Sequence, residues 1–407
     1  MQIKALFATT ALVLAAGTLA TGAAQAQVTD GVIKLGVLND QSGLYADVSG
    51  PGGTWAAKKA VADSGIEKRG FKVEVVFGDH QNKPDIGSNI ARQWYDVDKV
   101  DAIVDVPTSS VALAINQITK EKNKVFIGSG PATSDLTGPQ CSPNTAHWTY
   151  DTWALANGTG KAIVQTGGKS WYFVTADYAF GHALERDTGN VVKANGGTVV
   201  GAVRHPFPGT DFSSFLLQAQ ASKAQIVAFA NAGGDTINSI KQAAEFGIVE
   251  GGQKLAGMLM FITDVNSLGL KTAQGLNFTT AWYWDANDNN RAFAKEFAAA
   301  NGGKMPTMVH AGIYSGVIHY LKAVEALKSD ADGVKVVNKM KEMPSEDKLF
   351  GKGMLRKDGR HVHDMYLVEV KKPGDSKYAW DYLTVKKTIP AAEAFRPMAD
   401  GNCPLVK

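Results

Sequence analysis

Residues 101–122, DAIVDVPTSSVALAINQITKEK, contain the repeating unit of the fold. Asp101–Val106 is a short apolar run with β-branched residues, the composition of a strand buried on both faces. Pro107 and the polar Thr108, Ser109 and Ser110 interrupt it. From Val111 onward apolar residues recur at helical spacing, and Ser110 is placed to cap that helix by accepting from a free backbone N–H. A strand that turns so quickly into a helix is half of a βαβ crossover, which leads on to a neighbouring parallel strand.

The unit recurs on both sides. Strand-like runs begin at Val32 (VIKLGVL), Val73 (VEVVFGD), Lys124 (KVFIGSG), Ser170 (SWYFVTAD), Thr198 (TVVGAV), Gln225 (QIVAFAN) and Gly275 (GLNFTTAWYW). Amphipathic stretches separate them. Asp151, Asp211 and Asp235 stand where helices should start, and Gly196, Gly247 and Gly302 where they should stop. The class is therefore α/β, with doubly wound, mostly parallel sheets. The rhythm runs once before about Trp148 and again after it, and the chain is longer than one core usually supports, so two lobes are expected. DMYLVEV from Asp364 and WDYLTV from Trp380 read as late strands added to a lobe already begun.

At the N-terminus, Lys4 precedes an apolar run, Ala5–Ala16, and the small-residue sequence Ala24-Gln25-Ala26. That pattern predicts a secretory signal peptide over residues 1–26 and export to the periplasm. The run is shorter than the ~20 apolar residues a membrane-spanning helix needs, so no membrane insertion of the mature chain is expected. The formal net charge is +3, and Lys4 contributes one of those charges; so even a balance argues against nucleic acid or anionic lipid as partner. Cys141 and Cys403 are the only cysteines. In an oxidising compartment an even pair predicts one disulfide, and with no closely spaced histidines a structural metal site lacks ligands.

In open parallel sheets ligands bind beyond the carboxyl ends of the strands. That rule selects the loops Asn39–Asp47, Pro107–Ser110, Gly128–Asp135, Asp177–Gly181, Asn231–Asp235 and Trp282–Asp285. The segments GVLNDQSGLYAD, VDVPTSSVALAI, IGSGPATSDLTG, TADYAFGHAL and FANAGGDTINSIKQAAEFGI occupy these loops. In this order and spacing they resemble the leucine/isoleucine/valine-binding-protein family of type I periplasmic binding proteins, over nearly all of Val32 to about Val385.

The resemblance implies two α/β lobes joined by three crossings, with a ligand held in the cleft between them. Residues 28–145 plus 285–350 would form the first lobe, and 146–284 plus 351–407 the second lobe and tail. It implies a monomer without cofactor that hands a small carboxylate-bearing solute to ABC permease and ATPase subunits. Ser109, Ser110, Gly130, Pro131, Ala132 and Thr133 match the positions at which the family grips the ligand carboxylate. Helix-start chemistry supports this independently, since free N–H groups and the positive dipole end suit an anion. The alternative is that Ser109 and Ser110 only cap the helix. Aromatic residues crowd the same loops, namely Tyr45, Trp148, Tyr150, Tyr178, Phe180, Trp282, Tyr283 and Trp284. Some should stack on ligand and the others pack the core. Tyr45 and Phe180 are the preferred contacts, with Tyr150, Phe180 and Asn231 closing from the second lobe. Phe180 stands where amino-acid-binding relatives commonly place Tyr. Asp235 stands where some place an acidic partner for the ligand ammonium, though it also suits an N-cap. The ligand class stays open between a branched-chain-type amino acid and an aromatic or other organic acid.

Catalysis is not expected. No Gly-x-Ser-x-Gly elbow occurs, and GSGPAT lacks the Lys-Ser/Thr ending of a nucleotide loop. His361 and His363 alternate as a surface pair would, with no third metal ligand in view, and His310 has no assigned role. A periplasmic ligand sensor for a membrane receptor shares every feature above except the partner. A periplasmic hydrolase differs by showing turnover.

Overall fold

A computed structural model describes residues 28–406; the expected signal peptide lies outside the described residues. Five parallel strands form the first sheet in the order β2-β1-β3-β4-β5: β1 Ile33–Asn39, β2 Val73–Asp79, β3 Ala102–Asp105, β4 Val125–Gly128 and β5 Thr145–His147. A second parallel sheet runs β7-β6-β8-β9, from β6 Ser170–Ala176, β7 Thr198–His205, β8 Ile226–Ala230 and β9 Lys254–Gly257. The second sheet repeats the strand order of the first. β1, β3, β4 and β8 are buried along almost their whole length, which is why they read as continuous apolar runs rather than alternating ones.

The rest of the chain crosses between these layers three times. It leaves the first sheet after β5 and builds the second. It continues into β10, Asn277–Thr280, and returns as the helices Met308–Leu327 and Gly333–Glu342, which pack on the first sheet. After β11 Ser345–Asp347, β12 Gly351–Leu355 and β13 His361–Val362 it leaves again. β14 Met365–Val370 then pairs antiparallel with β10, and β15 Leu383–Ile389 with β14.

Several expectations need correction. β10 is antiparallel and only four residues long, so GLNFTTAWYW does not join the parallel sheet; Ala281–Trp284 follow it as a buried irregular stretch. β5 extends the first sheet to His147, past the expected end of the first segment at residue 145, and Arg360 bridges His147. β11–β13 form a small sheet of their own that packs against the helices Met308–Leu327 and Gly333–Glu342, so residues 351–362, expected in the second lobe, lie on the side of the first sheet. Two-residue pairings carry no periodicity, so sequence patterning could not reveal them. Ser110 is not the cap, as the helix begins one residue earlier, at Ser109, after an extended Thr108. Asp235 is not a cap either: it is the second residue of the helix Gly234–Glu245, behind Gly233 with φ +57°. Asp151 does cap, accepting from the Ala154 amide at 2.8 Å. His361 and His363 are buried rather than on the surface. The His361 ring stacks on Trp148 at 3.8 Å, and His363 Nε2 lies 2.8 Å from the Thr149 carbonyl, so both pin one crossing to another.

Cys141 and Cys403 form the disulfide, with Cα atoms 5.6 Å apart across 262 residues of sequence. Among the described residues no helix is long and apolar enough to cross a membrane.

Candidate ligand-binding cleft

The reversal of strand order places two switch points, between β1 and β3 and between β6 and β8, and the loops beyond them meet. Tyr45 and Val48 follow β1, Pro107 follows β3, Gly130 and Ala132 follow β4, and Tyr150 follows β5. From the second sheet Tyr178 and Phe180 follow β6, Ala232 follows β8, and Leu259 and Phe261 follow β9. Together they line one narrow cavity of about 10 Å³. Its lining is aromatic and apolar, with no charged side chain.

The two sides touch directly. The Tyr45 and Tyr178 hydroxyls are 2.6 Å apart, sharing one hydrogen bond across the cleft. Burial pushes both phenols above their usual range, so both stay protonated. Since only one proton bridges the pair, the acceptor hydroxyl keeps its own for another partner. Phe207, from the loop after β7, stacks on Tyr178 at 4.1 Å and lies 5.8 Å from Tyr45, closing the aromatic cluster.

The remaining candidates stand behind this lining. Ser109 is fully buried, and its hydroxyl accepts from the Ala132 and Thr133 amides at 3.3 and 3.2 Å. It therefore clamps the helix start to the next loop. Ser110 is half-buried on the same first turn. The Pro131 carbonyl takes up His147 Nε2 at 2.7 Å, and Thr133 accepts from the Asp135 amide at 3.3 Å. Asn231 is bound to Ser239, Thr236 and His205. Asp235 accepts from the Gly209 amide at 3.0 Å, while its second oxygen has no hydrogen-bond partner and lies 4.0 Å from His205. Burial pushes its pKa up to about 7. Trp282 lines an adjoining cavity shared with Phe261 and Met308, its indole N–H unpaired. His310 caps its own helix at Thr307 and reaches the Ser49 carbonyl at 2.9 Å; burial lowers its pKa to about 4, leaving it neutral. Arg360, fully buried, reaches the Tyr150 carbonyl at 2.9 Å and braces the crossing that carries Tyr150.

Leu259, Phe261 and Phe207 were missing from the sequence-based set. Phe261 and Leu259 follow β9, a four-residue strand that begins with an exposed Lys254 and so lacks an apolar signature. Had it been read as a strand, the carboxyl-end rule would have found both. Phe207 follows an edge strand with alternating burial, and nothing in its local sequence marks it.

Two doubly wound parallel units that face each other across a small, uncharged, aromatic cavity define a two-sided solute-binding fold. The family model described as "Periplasmic binding protein" matches residues 32–376, and the chain belongs to that family. A periplasmic binding protein from Burkholderia mallei is 52% identical, covering 93% of this chain and 100% of its own, with a TM-score of 0.90. A branched chain amino acid ABC transporter periplasmic ligand-binding protein from Burkholderia xenovorans LB400 is 41% identical over 92% of this chain and 100% of its own, with a TM-score of 0.81. A Leu/Ile/Val-binding protein homolog from Brucella melitensis is 28% identical over 90% of this chain and 93% of its own.

Proposed function

We propose that this chain is the periplasmic substrate-binding component of an ABC importer, capturing a small carboxylate-bearing solute between two lobes and delivering it to a membrane permease. The first lobe is built on β1–β5 and the second on β6–β9 with β10, β14 and β15. The observation that carries the reading is the Tyr45–Tyr178 contact, 2.6 Å across the cleft. A ligand that spans both walls can stabilise the closed form only through contacts made in that form, and this pair brings the two walls within reach of one small ligand.

The lining favours a flat or aliphatic body. Tyr150, Phe180 and Phe261 offer ring faces and edges, Phe207 stacks behind Tyr178, and the segment at Gly130, next to the helix start, is the place expected for the carboxylate. Asp235 lies outside the lining, which supports an aromatic or organic acid over an α-amino acid. The amino-acid reading is supported by the likeness to the branched chain amino acid protein of Burkholderia xenovorans and to the Leu/Ile/Val-binding protein homolog of Brucella melitensis. A thermal-shift panel of benzoates, short-chain acids and branched-chain amino acids tests both. An acid that binds should raise the unfolding free energy by roughly 2.7 kcal/mol at one hundred times Kd, with no turnover. Stabilisation by neutral solutes alone, or product formation, would sink the proposal.

A further inference from the structure

β3 ends at Asp105, with φ +83°, and Val106 follows it with φ +60°, so two successive residues take left-handed backbone. Glycine takes that conformation freely, whereas for a β-branched residue it is a genuine outlier. Outliers of this kind persist where the surroundings over-determine them, and they cluster at functional sites. Here the turn carries the Asp105 side chain inward, fully buried, to the back of the cavity wall. Its Oδ2 accepts from Asn39 Nδ2 at 3.1 Å, but Oδ1 has no hydrogen-bond partner. Oδ1 lies 2.6 Å from where a Cβ on Gly130 would stand, so glycine at 130 is what lets the carboxyl approach a residue that lines the cavity.

The groups facing this carboxyl are Asn39 from β1, Ser49 and Gly53 at the start of the helix Gly50–Ser64, the Gly130 segment after β4, and the Tyr150 phenol after β5. None is charged at neutral pH. Asn39, Ser49 and the Gly130 backbone can donate toward an ionised Asp105, but burial outweighs them, so its negative charge would lie without a counter-charge in a low-dielectric region directly behind the segment expected to receive the ligand anion.

We propose that Asp105 is a positioning residue that makes capture of a carboxylate proton-dependent: with its carboxyl neutral, the Gly130 segment accepts the ligand anion, and with it ionised the segment rejects it. The inference rests on the carboxylate reading of the cleft given above. Burial pushes the Asp105 pKa up to about 7, which puts the change within the range a periplasmic protein meets. Binding an anion would then be linked to uptake of one proton above that pH, and affinity should fall about tenfold for each pH unit.

Calorimetric titrations with benzoate, 4-hydroxybenzoate and L-leucine, near pH 5.5, 7 and 8.5, test it. For any probe that binds, the wild-type protein should bind at least tenfold more tightly at the lowest pH than at the highest. At the highest pH the measured heats, compared in two buffers of different ionisation enthalpy, should report uptake of close to one proton. Asp105→Asn should lose most of this dependence, and Asp235→Asn should keep it. Asp105→Gly, which suits the positive φ, serves where Asn does not fold. Affinity that is equal at all three pH values in the wild type overturns the role of Asp105 while leaving the binding function in place. So does an unchanged pH profile in the Asp105 variants, or its loss in Asp235→Asn. Failure of all three probes to bind any of these proteins at any pH overturns the carboxylate reading itself, and this inference with it.

Discussion

At the scale of single residues the cleft is decided by which polar atoms are already taken. Ser109 belongs to the group expected to hold the ligand directly, yet its hydroxyl is engaged by two backbone amides. Tyr178, by contrast, bridges the cleft through one hydroxyl. Tyr178→Phe should weaken the best acid ligand by about 1 kcal/mol, a single neutral hydrogen bond, while leaving the melting temperature of the ligand-free protein nearly unchanged; calorimetry paired with thermal denaturation checks both. Asp235 makes a second case. Its folded-state pKa of about 7 lies above the roughly 3.9 of an unfolded carboxyl, so the folded protein holds a proton that the unfolded chain releases. Stability is therefore lost as pH rises from about 4 through 7. Asp235→Asn should melt higher than the wild type near pH 8 and no higher near pH 4, and it should bind a simple organic acid as well as the parent. A large loss of acid binding would restore Asp235 to the ligand site.

At the scale of elements, the helix Ser109–Glu121 and the loop Gly130–Ser134 act as one wall because Ser109 joins them. Ser109→Ala leaves two buried amides without their acceptor, which costs about 1–3 kcal/mol of stability. Since the same amides shape the cavity edge, affinity should drop together with stability. Denaturant unfolding beside ligand titration reads the two effects, and a loss of affinity with stability intact would instead make the hydroxyl a direct ligand contact. The loop after β7 is the other deciding element. It belongs to an edge strand, yet it brings Phe207 against Tyr178 and Tyr45, so Phe207→Ala should weaken binding without disturbing either parallel sheet. Near-ultraviolet circular dichroism, with and without ligand, would report the lost ring packing.

At the scale of the whole molecule, the disulfide ties Cys403, near the C-terminus, to Cys141 ahead of β5. Because it closes so long a loop, reduction should lower the unfolding free energy by roughly 3–5 kcal/mol on the chain-entropy account; denaturant titration with and without reductant measures it. The class of fold was legible in the chain because its determinants are local. Apolar strands such as VIKLGVL, the cap at Asp151 and the left-handed glycines at 196, 247 and 302 (φ +78°, +65° and +63°) act within a few residues of themselves. The carboxyl-end rule then turned strand positions into loops, and six of the predicted residues, Tyr45, Gly130, Ala132, Tyr150, Tyr178 and Phe180, meet at one cavity. What tertiary structure alone decided are the relations between distant segments. Examples are the antiparallel partner of β10, the siding of residues 351–362 with the first sheet, the arrival of Phe207 and Phe261, and the burial of Asp105 behind Gly130. Each depends on which hydrogen-bonding groups and ring faces remain free once hundreds of residues have packed, and no local pattern encodes that remainder.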